Sequence, residues 1–214
     1  MEMFGTMINF FQDGGIFMYP IALVAALGIA VAIERYLYLW HTEGANRRIW
    51  SDVAPLLGQG EYRRALAATT ESKSAIGQIL SYGLARVQSA RRRDDVEKAM
   101  EESLMEVVPR LERRTHYLAS FANIATLLGL LGTIIGLIQA FQAVSSADPA
   151  EKAELLSASI SVAMNTTAFG LIVAIPLLLL HSVLQSKTTQ IVDSLEMASV
   201  KFLNTVVERK SEPA

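Results

Sequence analysis

Cysteine is absent from this 214-residue chain, which excludes disulfides and thiolate metal centres. The three histidines, His41, His116 and His181, are too far apart for a His-x-x-x-His ligand pair. No glycine-rich phosphate loop and no nucleophile elbow occurs. The reading is therefore of a non-enzyme with no cofactor. The 13 glycines and 6 prolines are too few for a disordered composition. Basic and acidic residues number 19 and 21, and a net charge of −2 gives no general argument for a nucleic-acid partner. Residues 1–15 carry Glu2 and Asp13 but no Lys or Arg. A basic leader region is missing, so the first apolar run is expected to be a retained span and not a signal peptide.

The chain is rich in long apolar runs. Its apolar share is 51% and its mean hydropathy +0.32. Crossing a hydrocarbon core of about 30 Å takes roughly 20 apolar residues. Residues 16–40, 118–144 and 155–185 are each long enough. These runs predict an all-α integral membrane protein with three transmembrane helices, the long helices extending into a cytoplasmic helical domain. The charges fall almost entirely between the spans. Thirteen basic residues lie in 41–117, including Arg47, Arg48, Arg63, Arg64, Arg86, Arg91, Arg92, Arg93 and Arg114. The 145–154 loop has only Lys152, against Asp148, Glu151 and Glu154, while Lys187, Lys201, Arg209 and Lys210 follow the third span. Basic residues near span ends stay on the cytoplasmic side. The expected order is a periplasmic segment 1–15, the first span 16–40, a cytoplasmic helical domain 41–117, the second span 118–144, a short periplasmic loop 145–154, the third span 155–185 and a cytoplasmic helix 186–214, with the N-terminus out and the C-terminus in.

Span one opens at Gly14, Gly15 and Pro20, where a proline is tolerated in the first turn. It closes with Tyr36, Tyr38 and Trp40, side chains suited to the interface. Glu34 and Arg35 just inside that end are expected to form an interfacial pair. The large loop reads as helices over 49–57, 61–68 and 74–89, with Ile76, Ile79, Leu80, Leu84 and Val87 on one face. Arg91–Arg93 are expected to open a solvated helix beside Asp94 and Asp95. From Asp94 the pattern runs into span two with no glycine break, which predicts one long helix bent at Pro109. Ile191, Leu195, Ala198, Phe202 and Val206 make an apolar stripe on a helix continuing from span three. That stripe is expected to pack against the 94–114 helix or a neighbouring copy.

The two later spans carry the informative residues. Gly129, Gly132 and Gly136, with Ala125 and Ala140, form a small face on span two, as helix packing in a bilayer favours. Thr133 lies in the same run. Gly170 and Pro176 are read with these glycines as packing positions. Span three holds Asn165, Thr166 and Thr167 in succession. Successive helical positions turn by about 100°, so the three cannot share one packed face. Asn165, Thr166 and Thr167 are expected to contribute to a polar conduit, with helix packing alone as the alternative. Neither 118–144 nor 155–185 contains Asp, Glu, Lys or Arg. A path that moves protons by titration then needs water, or an acid from a partner helix. His181, near the inner end of span three, reads as an interfacial polar residue with a proton relay as the alternative.

The run from Gly129 through Thr133 to Gly136, followed by the run from Thr167 through Gly170 to Pro176, resembles the MotA/TolQ/ExbB family. The opening of span one at Gly14 and Gly15, its Glu34-Arg35 end and the three-span order resemble the ExbB-like members. The resemblance implies a homopentamer in the bacterial inner membrane, with spans two and three around a central pore. Two copies of an ExbD/TolR-like single-span protein would sit in that pore, and a carboxylate on their helices would carry the ion. The unit would convert the proton gradient, or a sodium gradient, into mechanical work, most closely to energise transport with a TonB-like protein. TolQ-like, gliding or stator-like units and a non-conducting scaffold for a single-span partner are the alternatives. Thr133 matches the pore threonine of the second span, Thr167 that of the third, and Pro176 the proline near its inner end. Where ExbB and TolQ have a glutamate five residues before the third-span threonine, this chain has Val162. The Thr166-Thr167 pair is similar to the pair of sodium-driven stators, which keeps Na⁺ beside H⁺ as the carried ion.

Overall fold

The computed structural model describes residues 14–87 and 93–211, and all regular elements among them are α-helices. Residues 1–13, with Glu2 and Asp13, and 88–92, with Arg91 and Arg92, lie outside the described residues. The helices are α1 (Met18–Gln59), α2 (Tyr62–Glu71), α3 (Ala75–Val87), α4 (Arg93–Glu112), α5 (His116–Ser146) and α6 (Lys152–Ser211). Three stretches are long and apolar enough to cross a membrane: α1, the α4–α5 run and α6. The described residues form two compact units, 14–34 with 114–183, and 35–113 with 184–211.

In the first unit the small residues decide how closely the helices approach. Gly129 of α5 and Gly170 of α6 face each other so tightly that a β-carbon on Gly170 would stand 2.7 Å from the Ala125 carbonyl oxygen. On Gly132 it would run into the Thr166 methyl, and on Gly136 it would meet the Ala163 β-carbon at 2.9 Å. Gly28 of α1 lies against the Leu177 side chain of α6. Ala122, Ala125, Ala140, Ala163 and Ala174 are buried in the same unit, while Leu127, Ile134, Phe141, Ile172, Ile175 and Leu179 point outward. A unit with small residues inside and large apolar ones outside is inverted relative to a water-soluble bundle. In lipid, helices associate through van der Waals contact and not through the hydrophobic effect, so close backbone approach is what holds them.

The second unit has a core of large side chains. Phe202 of α6 and Met100 of α4 meet over Gly83 of α3, where a β-carbon would find both within 2.9 Å. Ile191, Leu195, Ala198, Phe202 and Val206 are all buried. The stripe thus packs within its own chain. Helix α1 runs unbroken for 42 residues, so the separate 49–57 helix expected from the sequence is its continuation. It stops at Gly60, whose φ of 77° is the left-handed conformation that glycine adopts at no steric cost. Two backbone bonds close that end in a Schellman arrangement, Glu61 N–H to the Leu56 carbonyl at 2.9 Å and Gly60 N–H to Leu57 at 3.1 Å. Helix α3 is capped by Ser74, whose hydroxyl accepts from Gly77 N–H at 3.0 Å. The buried Asn46 of α1 accepts from Ile76 N–H at 3.1 Å.

One expectation is corrected. The long helix into span two is interrupted at 113–115, downstream of Pro109, which sits inside α4. Arg114 there has φ 67°, a conformation outside the helix. The break releases the Leu111 carbonyl, which a continuous helix would bond to Thr115. The buried Arg35 guanidinium donates to it instead, and lies 4.8 Å from the Tyr38 ring. Glu34, the neighbouring residue on α1, faces Arg114 at 3.7 Å.

Candidate ion path

Asn165, Thr166 and Thr167 divide three directions around α6. The Thr167 hydroxyl crosses to α5 and donates to the Gly129 carbonyl at 2.8 Å. That bond is possible because Gly129 has no side chain; a β-carbon there would stand 3.2 Å from the Thr167 α-carbon. Thr166 turns toward the start of α1. It is 2% exposed, and its hydroxyl lies 2.6 Å from the Gly14 carbonyl and 3.0 Å from that of Val162. One hydroxyl proton can serve only one of these acceptors at a time. Asn165 is half-buried and turns about 160° from Thr167. Its amide has no hydrogen-bond partner among the described residues.

On α5 the hydroxyl of Thr133 donates to its own helix, at the Leu130 carbonyl, 2.6 Å away. Helices α5 and α6 run antiparallel, with Gly129 against Thr167 and Gly136 against Ala163. This register sets Thr133 level with Thr167 to within a turn. Thr133 lies about 70° round α5 from the centre of its glycine face, and Thr167 about 50° round α6, both toward increasing residue number. In an antiparallel pair equal senses bring both to the same side. Both residues are half-buried.

The chemistry of this edge follows from where the protons go. A threonine hydroxyl has one proton and two lone pairs. With each proton committed to a backbone carbonyl, Thr133 and Thr167 present only lone pairs to whatever lies beside them. Such an edge can accept hydrogen bonds from water or hydronium, or ligate a cation, and offers nothing to an anion.

Of the four residues expected to line one path, the structure brings Thr133 and Thr167 together. Thr166 departs from that role, since its hydroxyl is buried against Gly14. Asn165 stands on another face. Val162, at the position where an acid was sought, contacts Gly15, a β-carbon on which would come within 3.3 Å. Sequence reasoning passed over Thr126, which lies about 20° from Thr133 on the same edge of α5 and donates to the Ala122 carbonyl at 3.1 Å. Its seven-residue spacing from Thr133 was the available signal.

Comparison with known proteins agrees with this architecture. The model of the MotA/TolQ/ExbB proton channel family matches residues 71–197. A protein of Methanothermobacter thermautotrophicus, provisionally named a biopolymer transport protein ExbB homolog, is 31% identical over 195 residues, covering 91% of this chain and 68% of the relative.

Proposed function

This chain belongs to the MotA/TolQ/ExbB proton channel family, and from that premise we propose that it is a subunit of an ion-driven membrane motor whose path runs along the Thr133 and Thr167 edge. The observation that carries this reading is the pair of level, same-side hydroxyls whose protons are both spent on backbone carbonyls. The acid comes from outside the chain. Neither 118–144 nor 155–185 holds a carboxylate, so a partner helix with a membrane-embedded Asp or Glu completes the path. An ExbD/TolR-like single-span protein, two copies within a homopentamer, supplies it.

The N-terminus lies in the periplasm, and 41–117 and 186–214 lie in the cytoplasm of the bacterial inner membrane, as the clustering of basic residues supports. The gradient supplies about 2.3 kcal/mol per charge per 100 mV, enough to drive stepwise mechanical work. The output is transport across the envelope through a TonB-like protein. The carried ion is the proton. Thr166 favours this over sodium: its hydroxyl faces Gly14, so the threonine pair offers one oxygen to the edge instead of two.

The test is ion flux through the full chain reconstituted with its single-span partner. Thr167→Val and Thr133→Val keep the side-chain shape and remove the oxygen. Flux is expected to fall in both and to return with Ser. Wild-type flux in the valine variants would overturn the path. Flux that stops when Na⁺ is removed at fixed membrane potential would replace the proton with sodium.

A further inference from the structure

His181 is the single titratable side chain in 118–144 and 155–185, and the path above does not use it. It occupies the α6 stripe that buries Ala174, Leu177 and Leu184, yet it remains half-exposed. Fourteen residues beyond Thr167, it lies about 21 Å further along the helix and only about 40° round from it. Its Nδ1 is 3.1 Å from the Thr115 carbonyl oxygen, at the start of α5. A carbonyl only accepts, so Nδ1 carries the hydrogen in that bond. In the neutral ring the second nitrogen, Nε2, is then left with its lone pair. The Thr115 contact therefore fixes which nitrogen can take up a proton.

We infer that His181 is the proton-accepting station at this end of the path. The inference rests on the proposed conduction. A proton delivered along the hydroxyl edge by water adds to Nε2 and makes the imidazolium, while Nδ1–H stays bonded to Thr115. Nε2 then releases the same proton to water and the neutral ring is restored. Charged and titratable groups on the neighbouring elements include Tyr117 in the first turn of α5, Arg114 just before Thr115, and Glu34 of α1, the last two facing each other at 3.7 Å. His116 follows Thr115 and is exposed.

The experiment compares proton flux through the full chain and its single-span partner in liposomes, for wild type, His181→Asn and Thr167→Val, over a range of pH. Asparagine retains an N–H donor near the Nδ1 position and cannot titrate. Flux in His181→Asn is expected to fall about tenfold or more, with its pH dependence flattened. A wild-type rate and pH profile in that variant would overturn the inference. If Thr167→Val is blocked while His181→Asn conducts normally, only the role of His181 fails. If Thr167→Val also conducts normally, the path itself fails. Nitrogen NMR of the wild-type imidazole in lipid gives a second check that needs no variant to fold. The neutral ring is expected to carry its proton on Nδ1, and an Nε2–H tautomer would sink the proposal.

Discussion

Thr167 of α6 hands its hydroxyl proton to the carbonyl of Gly129 on α5, 2.8 Å away. The bond joins the two helices at the place where Gly129 and Gly170 bring the backbones closest. It also decides what the hydroxyl can offer outward, which is lone pairs only. Interhelical hydrogen bonds in membrane proteins average about 0.6 kcal/mol and reach about 1.7. Thr167→Val is therefore expected to cost stability on that small scale while cutting flux far more. Thermal unfolding in detergent beside flux in liposomes separates the two. A loss of flux that merely tracks unfolding would assign Thr167 to packing alone.

Glycine substitutions should rank by what the new methyl meets. At Gly170 it meets the Ala125 carbonyl at 2.7 Å, which is backbone and can move only with its helix. Gly170→Ala is expected to destabilise by about 1–3 kcal/mol, as overpacking does. At Gly28 the methyl meets the Leu177 side-chain tip, also at 2.7 Å, and a leucine can turn aside. Gly28→Ala should cost clearly less. Equal losses in unfolding temperature for the two would show that the α5–α6 crossing is looser than described.

Phe202 is fully buried over Gly83 and beside Met100. Phe202→Ala should cost about 3–5 kcal/mol, the range for emptying an aromatic core site. Met197, five residues earlier on the same helix, is 57% exposed. Met197→Ala should fall within about 0.5 kcal/mol of wild type. Chemical denaturation of the two variants checks the contrast.

Arg114 holds a φ of 67° between α4 and α5. A non-glycine residue there costs roughly 1–2 kcal/mol. The ion pair it makes with Glu34 is 3.7 Å long and about half exposed on both sides, so it returns little. Arg114→Gly is expected to leave stability unchanged or raise it by about 1 kcal/mol, and Arg114→Val to lower it. A glycine variant less stable than valine would mean that the arginine side chain, and not the backbone, holds the break.

Much of the fold was legible in the sequence because it depends on composition along the chain. Three long apolar runs require helices wherever the backbone must satisfy its own hydrogen bonds in lipid. The stripe from Ile191 to Val206 could be placed because helical periodicity repeats in the sequence. The interruption at Arg114 could not, since no glycine or proline marks the position. The continuity of α1 through 41–59 was equally silent, because polar residues are as compatible with a helix as with a loop.

The sequence by itself determined the class: a chain of apolar helices whose two later spans carry hydroxyls and an amide but no acid. It also determined that Asn165, Thr166 and Thr167 must point in different directions, since the helical turn separates neighbours by about 100°. Which direction belonged to which residue was decided only by tertiary structure. Gly14 accepts from Thr166, Gly129 accepts from Thr167, and Asn165 is left on a third face. The physical reason is register. A helix repeats its geometry identically along its length, and only contact with α1 and α5 fixes which of its faces is buried, which is bonded and which is left open.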